Sequence, residues 1–408
     1  MKKSILRKYA RLIARTGANI QKNQPVIIRA QVDQYEFITI LVDECYKAGA
    51  SRVRIDWSWQ EITKLHYRHM TLRNLSKVEP WEEAKLKQQA DELPATIYVL
   101  SEDPAGLAGV NQEKMQKSSM ARYPIIKPYR DLMENRYQWT IAAVPSPAWA
   151  AKVFPGMRKS AAVEALWKAI LASVHVDEGN DPMEAWRVHN ENFKTRCKWL
   201  NDHHFDTITY KSANGTDFTA SLIPEGVWCG GGEDTIQGVF FNPNMPTEEI
   251  FTSPMKGKAE GKLVSTKPLS YQGQIINHFS ITFKNGKAVS WEAEEGKELL
   301  DKMISMDEGA AYLGELALIP CDSPINNSGI LYYETLFDEN ACCHVALGRG
   351  FNDCIDGYQT RTNEECRQLG INDSMIHVDF MIGVEDLTVT GYKDGVATPI
   401  FVNGNWAE

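Results

Sequence analysis

The sequence predicts an α/β N-terminal domain with a mostly parallel sheet, followed by an α+β C-terminal domain with antiparallel strands. Three observations lead to this prediction. The first part of the chain alternates short apolar runs with longer amphipathic segments, the second part carries three hairpin patterns, and the pattern changes near residues 185 to 205. We therefore expect domains over residues 1–190 and 191–408.

The N-terminal elements follow from the spacing of apolar residues. The basic N-terminus lacks the uninterrupted apolar run of a secretory signal, so it is interpreted as an amphipathic first helix. Strands are predicted over residues 25–30, 51–57, 95–101 and 138–144, and helices over 35–48, 81–93, 118–135, 161–173 and 181–204. This alternation implies a mostly parallel sheet covered by helices. No Gly-x-Gly-x-x-Gly motif follows the first strand, which disfavours a nucleotide-binding Rossmann domain.

Turn dipeptides organise the second half of the chain. Residues 206–222 read as a hairpin around Asn214-Gly215, and residues 275–289 read as another around Asn285-Gly286. A third hairpin is expected over 387–402, with further turn residues after it. The three glycines at 230–232 lack the Lys-Ser or Lys-Thr of a phosphate-binding loop, so we expect a flexible loop there.

Composition excludes several classes of protein. The chain has 408 residues, 43% of them hydrophobic, which is enough for two or three domains, and its net charge of -9 argues against nucleic acid as the main partner. No apolar run approaches the length of a membrane span, so no membrane partner is expected. The eight cysteines show no Cys-x-x-Cys spacing, and reduced thiols in the cytoplasm are the default expectation.

The most informative stretch is residues 376–380, where two metal-ligand side chains stand two residues apart in an apolar run. Along a strand, positions i and i+2 point to the same face, so His377 and Asp379 should project into one cavity. Glu249, Glu315 and His344 lie in similarly apolar or turn-bounded settings. Together the five residues would suit one or two ions such as Zn, Co or Mn, because these metals accept both imidazole and carboxylate ligands.

Each of these residues also has a simpler interpretation. A single histidine between apolar residues is more often a hydrogen-bonded core residue than a ligand. Glu249 would also fit an exposed turn, whereas the apolar surroundings of Glu315 require a cation or several donors for a buried carboxylate. The adjacent Cys342 and Cys343 lack the spacing of a structural zinc site and are expected to be small buried thiols.

The sequence resembles the thermophilic-type metallo-aminopeptidases, the family of aminopeptidase T, aminopeptidase S and PepS. The matching segments are residues 244–252, 314–317, 344–348 and 377–379, in the order and with the gaps of the family. The resemblance covers the whole chain and is strongest from about residue 200 onward. It implies that Glu249, Glu315, His344, His377 and Asp379 hold a two-metal centre in a catalytic C-terminal domain, with Glu315 bridging both ions.

The resemblance also implies the chemistry. A two-metal site can activate a water, polarise a scissile carbonyl and bind the free amine of a peptide, so the expected substrates are peptides with a free N-terminus. Glu248 is the candidate general base, although the sequence slightly favours a solvated turn carboxylate at this position. The choice of Glu249 rather than Glu248 as a ligand comes from the family match.

One position departs from the family. Its members carry a tyrosine seven residues after the histidine of the 344–348 motif, and this chain has Phe351. Because phenylalanine can neither ligate a metal nor donate a hydrogen bond, another group such as Tyr358, a water or the substrate amine must fill the role, or activity is altered.

Other interpretations stay open. Another metal-dependent amidase or peptidase would use the same ligands with a different pocket, and a non-catalytic metal-binding or scaffold protein would show no hydrolysis when metal is supplied. The family resemblance and the eleven tryptophans also suggest a homodimer, although these side chains would equally fill two cores.

Overall fold

The computed structural model of the protein describes residues 1–272 and 274–407. It contains two compact units. The first unit consists of Met1–Arg187 and Gly232–Met245, and the second of Val188–Gly231 and the described residues from Pro246 onward. The proposed domain boundary at residue 190 stays a prediction, because compactness does not measure independent folding.

Helices and strands are labelled in chain order. The helices are α1 (Lys3–Leu12), α2 (Tyr35–Ala48), α3 (Gln60–His69), α4 (Leu72–Leu75), α5 (Pro80–Glu92), α6 (Gln112–Met133), α7 (Pro147–Val153), α8 (Lys159–Ser173), α9 (Pro182–His203), α10 (Lys297–Ile304), α11 (Pro324–Asn327), α12 (Thr335–Asp338) and α13 (Asn363–Leu369). The strands are β1 (Pro25–Gln31), β2 (Arg52–Ser58), β3 (Ala95–Leu100), β4 (Trp139–Ala143), β5 (Thr207–Lys211), β6 (Asp217–Leu222), β7 (Cys229–Gly230), β8 (Glu233–Asp234), β9 (Phe240–Phe241), β10 (Ile250–Thr252), β11 (Pro254–Val264), β12 (Leu269–Tyr271), β13 (Gln274–Lys284), β14 (Lys287–Glu295), β15 (Leu313–Leu318), β16 (His344–Gly348), β17 (His377–Met381), β18 (Thr388–Lys393), β19 (Val396–Val402) and β20 (Asn405–Trp406).

The first unit is built on a four-stranded sheet. Its strand order is β2-β1-β3-β4, and every neighbouring pair is parallel. The central strand β1 is buried along most of its length, as expected for a strand with helices on both sides. The α/β prediction with a mostly parallel sheet is therefore confirmed.

The three predicted hairpins are present in the second unit. They are formed by β5 with β6, β13 with β14 and β18 with β19, all antiparallel. In the middle hairpin Asn285 and Gly286 both have positive φ, 51° and 76°, the combination that a tight two-residue hairpin turn requires. These strands belong to a nine-stranded sheet of order β12-β13-β11-β6-β5-β18-β19-β20, in which β14 pairs with β13. The antiparallel C-terminal prediction is confirmed.

A second sheet in the same unit carries the candidate site. It has five strands in the order β17-β16-β15-β10-β7, and its neighbouring pairs are antiparallel. Strands β15 and β16 are buried at every position, so each is flanked by protein on both faces. One face packs on the large apolar core of the unit, which includes Leu316, Val345 and Phe380. The opposite face carries the polar side chains of the candidate site, most of which are also buried.

Within the described residues, none of the helices combines the length and the apolar character that a membrane crossing would need.

Candidate metal centre

The five predicted ligands lie on the five-stranded sheet or at its edge. His344 begins β16, His377 and Asp379 lie two residues apart in β17, and Glu315 is the third residue of β15. Glu249 directly precedes β10. Side chains at alternate positions of a strand, and at directly paired positions of neighbouring strands, share a face.

The strand register brings these residues together. Glu315 pairs with Ala346, and Ala346 pairs with Asp379 on its other side, so the three form one row across the sheet. In the same way, Gly348 lies opposite His377. The positions between the ligands therefore carry residues with little or no side chain, which leaves space above the sheet for the carboxylates and imidazoles.

Two overlapping groups of ligand atoms result. The ligand atoms of Glu249, Glu315 and His344 all lie within 4.8 Å of one another, and so do those of Glu315, His377 and Asp379. Glu315 is the member that the two groups share.

The shortest contacts join imidazole nitrogens to carboxylate oxygens. His377 Nε2 lies 3.0 Å from Glu315 Oε2 and 3.2 Å from Asp379 Oδ1. His344 Nε2 lies 3.4 Å from Glu249 Oε2 and 3.9 Å from Asp379 Oδ1. His344 is almost fully buried, whereas 26% of the His377 side chain is exposed, so the site is open on the His377 side.

Backbone carbonyls fix the tautomer of both histidines. His344 Nδ1 lies 2.9 Å from the Glu339 carbonyl oxygen, and His377 Nδ1 lies 2.7 Å from that of Arg349. Because a carbonyl only accepts, each Nδ1 must carry the proton and donate. In a neutral imidazole this leaves the Nε2 lone pair directed at the carboxylates, which is the usual orientation of a metal-ligating histidine.

The negative charge of the clustered carboxylates must be neutralised by a bound proton or a metal cation. A neutral Nε2 and a carboxylate oxygen are both acceptors, so their close approach requires a proton or a metal ion between them. Burial alone would lower the pKa of His377, but Asp379 and Glu315 outweigh burial and hold that pKa well above its ordinary value. For Asp379, burial would raise the pKa, but His377 outweighs burial and lowers it to about 2. The donor set therefore fits divalent ions, which would replace the proton as the neutralising charge.

An unsatisfied oxygen points to the same conclusion. Asp379 Oδ1 is buried and accepts no hydrogen bond of good geometry within the described part of the chain, despite lying close to both imidazoles. A buried carboxylate oxygen in this state costs free energy unless an ion compensates it.

Glu339 is a further carboxylate at this site that sequence reasoning missed. It is buried, and burial together with Asp379, Glu249 and Glu315 raises the pKa of Glu339 well above its ordinary value. Its backbone carbonyl also holds the ring of His344. The only signal in the sequence was an acidic residue five positions before a candidate ligand, and its polar neighbours Asp338 and Asn340 gave no indication of its burial.

Glu248 occupies a different position from its neighbour Glu249. Among the described residues it belongs to neither ligand group, and its Oε2 lies 3.9 Å from His189 Nε2. Its backbone N–H donates to Asn340 Oδ1 at 2.7 Å, and His189 Nε2 donates to the Thr247 carbonyl at 2.9 Å. Only 12% of the Glu248 side chain is exposed, and this burial raises its pKa to about 8.

Phe351 lies beside the proposed ligands. Its ring centroid is 4.8 Å from that of His377 and 5.5 Å from that of Phe251, and both rings are partly exposed. Its backbone N–H donates to Ser253 Oγ. Tyr358, the suggested substitute for the missing hydroxyl, packs against a small separate cluster formed by Ile223, Ile355, Cys366 and Ile371.

The glycines at 230–232 lie close to the ligand-bearing segment and to helix α9. Gly230 belongs to β7 and pairs with Ile250, and a Cβ on Gly230 would lie 2.8 Å from the Glu249 carbonyl oxygen. Gly231 has a φ of +76°, and a Cβ there would lie 2.4 Å from the Phe193 ring. Gly230 is therefore part of a strand, and at both positions a backbone or side-chain atom approaches too closely for a larger residue. The flexibility expected of this stretch stays a prediction.

Comparisons with known proteins agree along the whole chain. A family model described as thermophilic metalloprotease, M29, matches residues 2–406. The chain is 39% identical over 404 residues to aminopeptidase AmpS of Bacillus subtilis, covering 98% of each protein. It is 37% identical over 404 residues to aminopeptidase 2 of Geobacillus stearothermophilus, covering 98% of this chain and 97% of that relative. The fold matches the solved structure of wild-type AmpT from Thermus thermophilus with a TM-score of 0.91 and 34% identity, covering all of both chains.

Proposed function

Because the chain belongs to the M29 family of thermophilic metalloproteases, we propose that it is an aminopeptidase that hydrolyses the N-terminal peptide bond with a water activated at a two-metal centre. As a family member with relatives named aminopeptidases, it is a peptide-bond hydrolase. The number of metal ions, the ligands and the catalytic roles are the proposed part.

The overlap of the two ligand groups at Glu315 carries the two-metal proposal. Glu249, Glu315 and His344 would hold one ion, and Glu315, His377 and Asp379 the other, because only Glu315 belongs to both groups. The mixed oxygen and nitrogen donors suit Zn, Co or Mn. When bound, a pair of such ions polarises the scissile carbonyl and lowers the pKa of a bound water to roughly 7.

The chain's own residues supply the remaining steps. The backbone carbonyls of Glu339 and Arg349 hold the two imidazoles with Nε2 facing the carboxylates, so these rings need not reorganise during turnover. We assign Glu248 as the general base that takes the proton of the attacking water and delivers it to the departing amine. This role requires the positive charge of nearby bound ions to lower the pKa of Glu248 from the value of about 8 that burial gives it. Asn340 fixes the backbone of this residue, which supports a set position for its carboxylate.

Substrate selection would follow from charge and exposure. The cluster is rich in carboxylates and is open beside His377, where Phe251 and Phe351 present partly exposed rings. A protonated or metal-binding α-amine suits such a site, whereas an acylated N-terminus offers neither charge nor a free lone pair. We therefore propose peptides with a free N-terminus as the substrates.

A pair of chromogenic substrates tests this function. Metal is removed with a chelator, Zn, Co or Mn is added back separately, and hydrolysis of leucine p-nitroanilide is compared with that of its N-acetyl derivative. We expect metal-dependent cleavage of the free form only. Cleavage of the blocked form at a similar rate would identify a different amidase or peptidase, and no cleavage of any unblocked peptide with any of the three metals would identify a non-catalytic protein.

The setting of the enzyme is also part of the proposal. All eight cysteines are free thiols, which supports a reducing compartment, and we propose the cytoplasm. Exposed tryptophans of the first unit, including Trp59 at 55% and Trp81 at 66% exposure, supply apolar surface for the homodimer that we propose.

A further inference from the structure

A partly exposed thiol lies on the same sheet face as the proposed metal ligands. Cys229 is in the edge strand β7, directly opposite Phe251, which is two residues from Glu249 on the same side of the chain. Phe251 in turn contacts the Phe351 ring, which contacts His377. Cys229 is therefore separated from the proposed ligand His377 by two aromatic rings.

A second thiol reaches Cys229 from a neighbouring segment. Gly226 forms an antiparallel bridge with Ile355, and the Val227 N–H donates to the Cys354 carbonyl at 2.9 Å. This pairing sets residues 352–354 beside the end of β7, and Cys354 is fully buried there.

The Cys229 thiol reaches the backbone of the segment that carries Cys354. The Cys229 S–H donates to the Asp353 carbonyl oxygen at 3.5 Å, and burial, followed by the neighbouring Cys229 thiol, raises the pKa of Cys354 well above its ordinary value. Cys229 is a partly exposed residue and Cys354 is buried in the neighbouring segment, the arrangement of a reactive thiol with a resolving thiol.

We propose that Cys229 and Cys354 are an oxidisable pair, converted to a disulfide by hydrogen peroxide, and that closing this bond slows peptide hydrolysis at the adjacent metal centre. The second half rests on the proposed aminopeptidase function, whereas the first half stands without it.

The chemistry balances in two steps. Peroxide oxidises the Cys229 thiol to a sulfenic acid and releases one water. The Cys354 sulfur then attacks the Cys229 sulfur, the S–O bond breaks, and the hydroxyl leaves with the Cys354 proton as a second water. The two thiols lose two electrons in total, and the peroxide O–O bond accepts them.

Formation of the Cys229–Cys354 disulfide must shift the residues that lie beside the proposed metal centre. An S–S bond is about 2.05 Å long, far shorter than any non-bonded contact between two sulfur atoms, so β7 and residues 352–354 must approach each other. Phe251 is paired with β7 and Phe351 directly precedes residues 352–354, so both rings beside His377 should shift. A misplacement of about 1 Å near reacting groups costs up to roughly 100-fold in rate, and we expect a loss of tenfold or more.

Peptide mapping by mass spectrometry tests the pairing on the full-length protein. After treatment with peroxide, we expect a Cys229–Cys354 cross-linked peptide that disappears on reduction. Cys197, a partly buried residue of α9 whose pKa is raised by burial and then by Cys229, is the competitor, so its replacement by serine is the matched control and should leave the cross-link intact. A Cys197–Cys229 cross-link, or no cross-link at all, would overturn the proposal.

Turnover measurements test the consequence. Peroxide should slow the wild type and Cys197→Ser, with recovery on reduction, whereas Cys229→Ser should be unaffected at the same dose. If the cross-link forms in an active enzyme and turnover is unchanged, the inhibitory half is rejected. If the untreated protein hydrolyses no peptide, the proposed function fails, and mapping still decides the thiol pairing.

Discussion

Glu315 and Asp379 lie in one row of the five-stranded sheet, with only Ala346 between them. The small side chain of Ala346 leaves the two carboxylates on a shared open surface, close to the same imidazole of His377. This relationship explains how carboxylates from two different strands can serve one ion.

Filling that space should therefore remove metal binding. Ala346→Val adds two methyl groups between Glu315 and Asp379, and we expect at least one ion to be lost, with activity falling at least about 100-fold. Val345→Ile adds one methylene on the opposite, core-facing side of the same strand, where overpacking costs about 1–3 kcal/mol without touching the ligands. Metal analysis of both variants checks this, and unchanged metal content in Ala346→Val would contradict the row geometry.

The shared carboxylate gives the second prediction. Glu315→Gln should abolish turnover and reduce bound metal more than Glu248→Gln, because a ligand common to both groups supports both ions. Glu248→Gln should keep its metal and lose turnover, as expected for a base. Metal content and activity equal to the wild type in Glu315→Gln would reject the site.

Phe351 gives the third prediction. Phe351→Tyr adds one hydroxyl to a partly exposed ring beside His377, so the fold should tolerate it. If that hydroxyl donates to the developing oxyanion, turnover should rise by roughly 100-fold to 1,000-fold, the size of the loss when one such donor is removed. Phe351→Leu serves as the control that changes the ring without adding a donor. Unchanged turnover in Phe351→Tyr would show that another group already fills the role, and Tyr358→Phe would then be measured.

A buried acid outside the ligand set gives a pH prediction. Burial raises the pKa of Asp338 to about 7 although the N–H groups of Tyr332 and Glu334 donate to it. The folded state therefore binds this proton more tightly than the unfolded state, so the stabilisation is complete near pH 4 and is lost as the pH rises to about 7.

Urea unfolding in excess chelator measures this effect. Asp338→Asn removes the titration, so its stability relative to wild type should rise by at most roughly 3 kcal/mol between pH 5 and pH 8. The exposed Asp202→Asn should show no such trend. If the free energy of unfolding changed with pH in the same way in wild type and Asp338→Asn, the raised pKa of Asp338 would be contradicted.

The homodimer is tested by mass. Light scattering at low micromolar concentration should give twice the 46.0 kDa of one chain. If exposed tryptophans form the interface, Trp81→Ser should weaken the dimer, and a monomer mass for the wild type would end the proposal.

Local sequence patterns predicted much of the fold. Helix α2 begins and ends at its predicted residues, and the hairpin turns at Asn214-Gly215 and Asn285-Gly286 lie where the dipeptides indicated. Apolar periodicity and turn chemistry act over a few residues, so a single sequence displays them directly. The return of residues 232–245 to the first unit was not anticipated, because that pairing joins residues far apart in the chain.

The site was predicted in part for the same reason. His377 and Asp379 share a face through a two-residue spacing that is visible in the sequence, and the remaining ligand candidates came from residue type and family order. The strand register that places Ala346 between carboxylates is a long-range property with no local signal. Glu339 was missed because a glutamate beside Asp338 and Asn340 resembles an ordinary polar turn until its burial is known.

Counting metal ions against turnover tests the central claim most directly. Protein stripped of metal by a chelator is titrated with Zn, Co or Mn. Bound metal is measured by elemental mass spectrometry, and hydrolysis of leucine p-nitroanilide is followed at each step. We predict two ions per chain at saturation, full activity only when both are bound, and neither result in Glu315→Gln. Hydrolysis that saturates at a single ion, or that proceeds equally well in the chelated protein, would contradict the two-metal account.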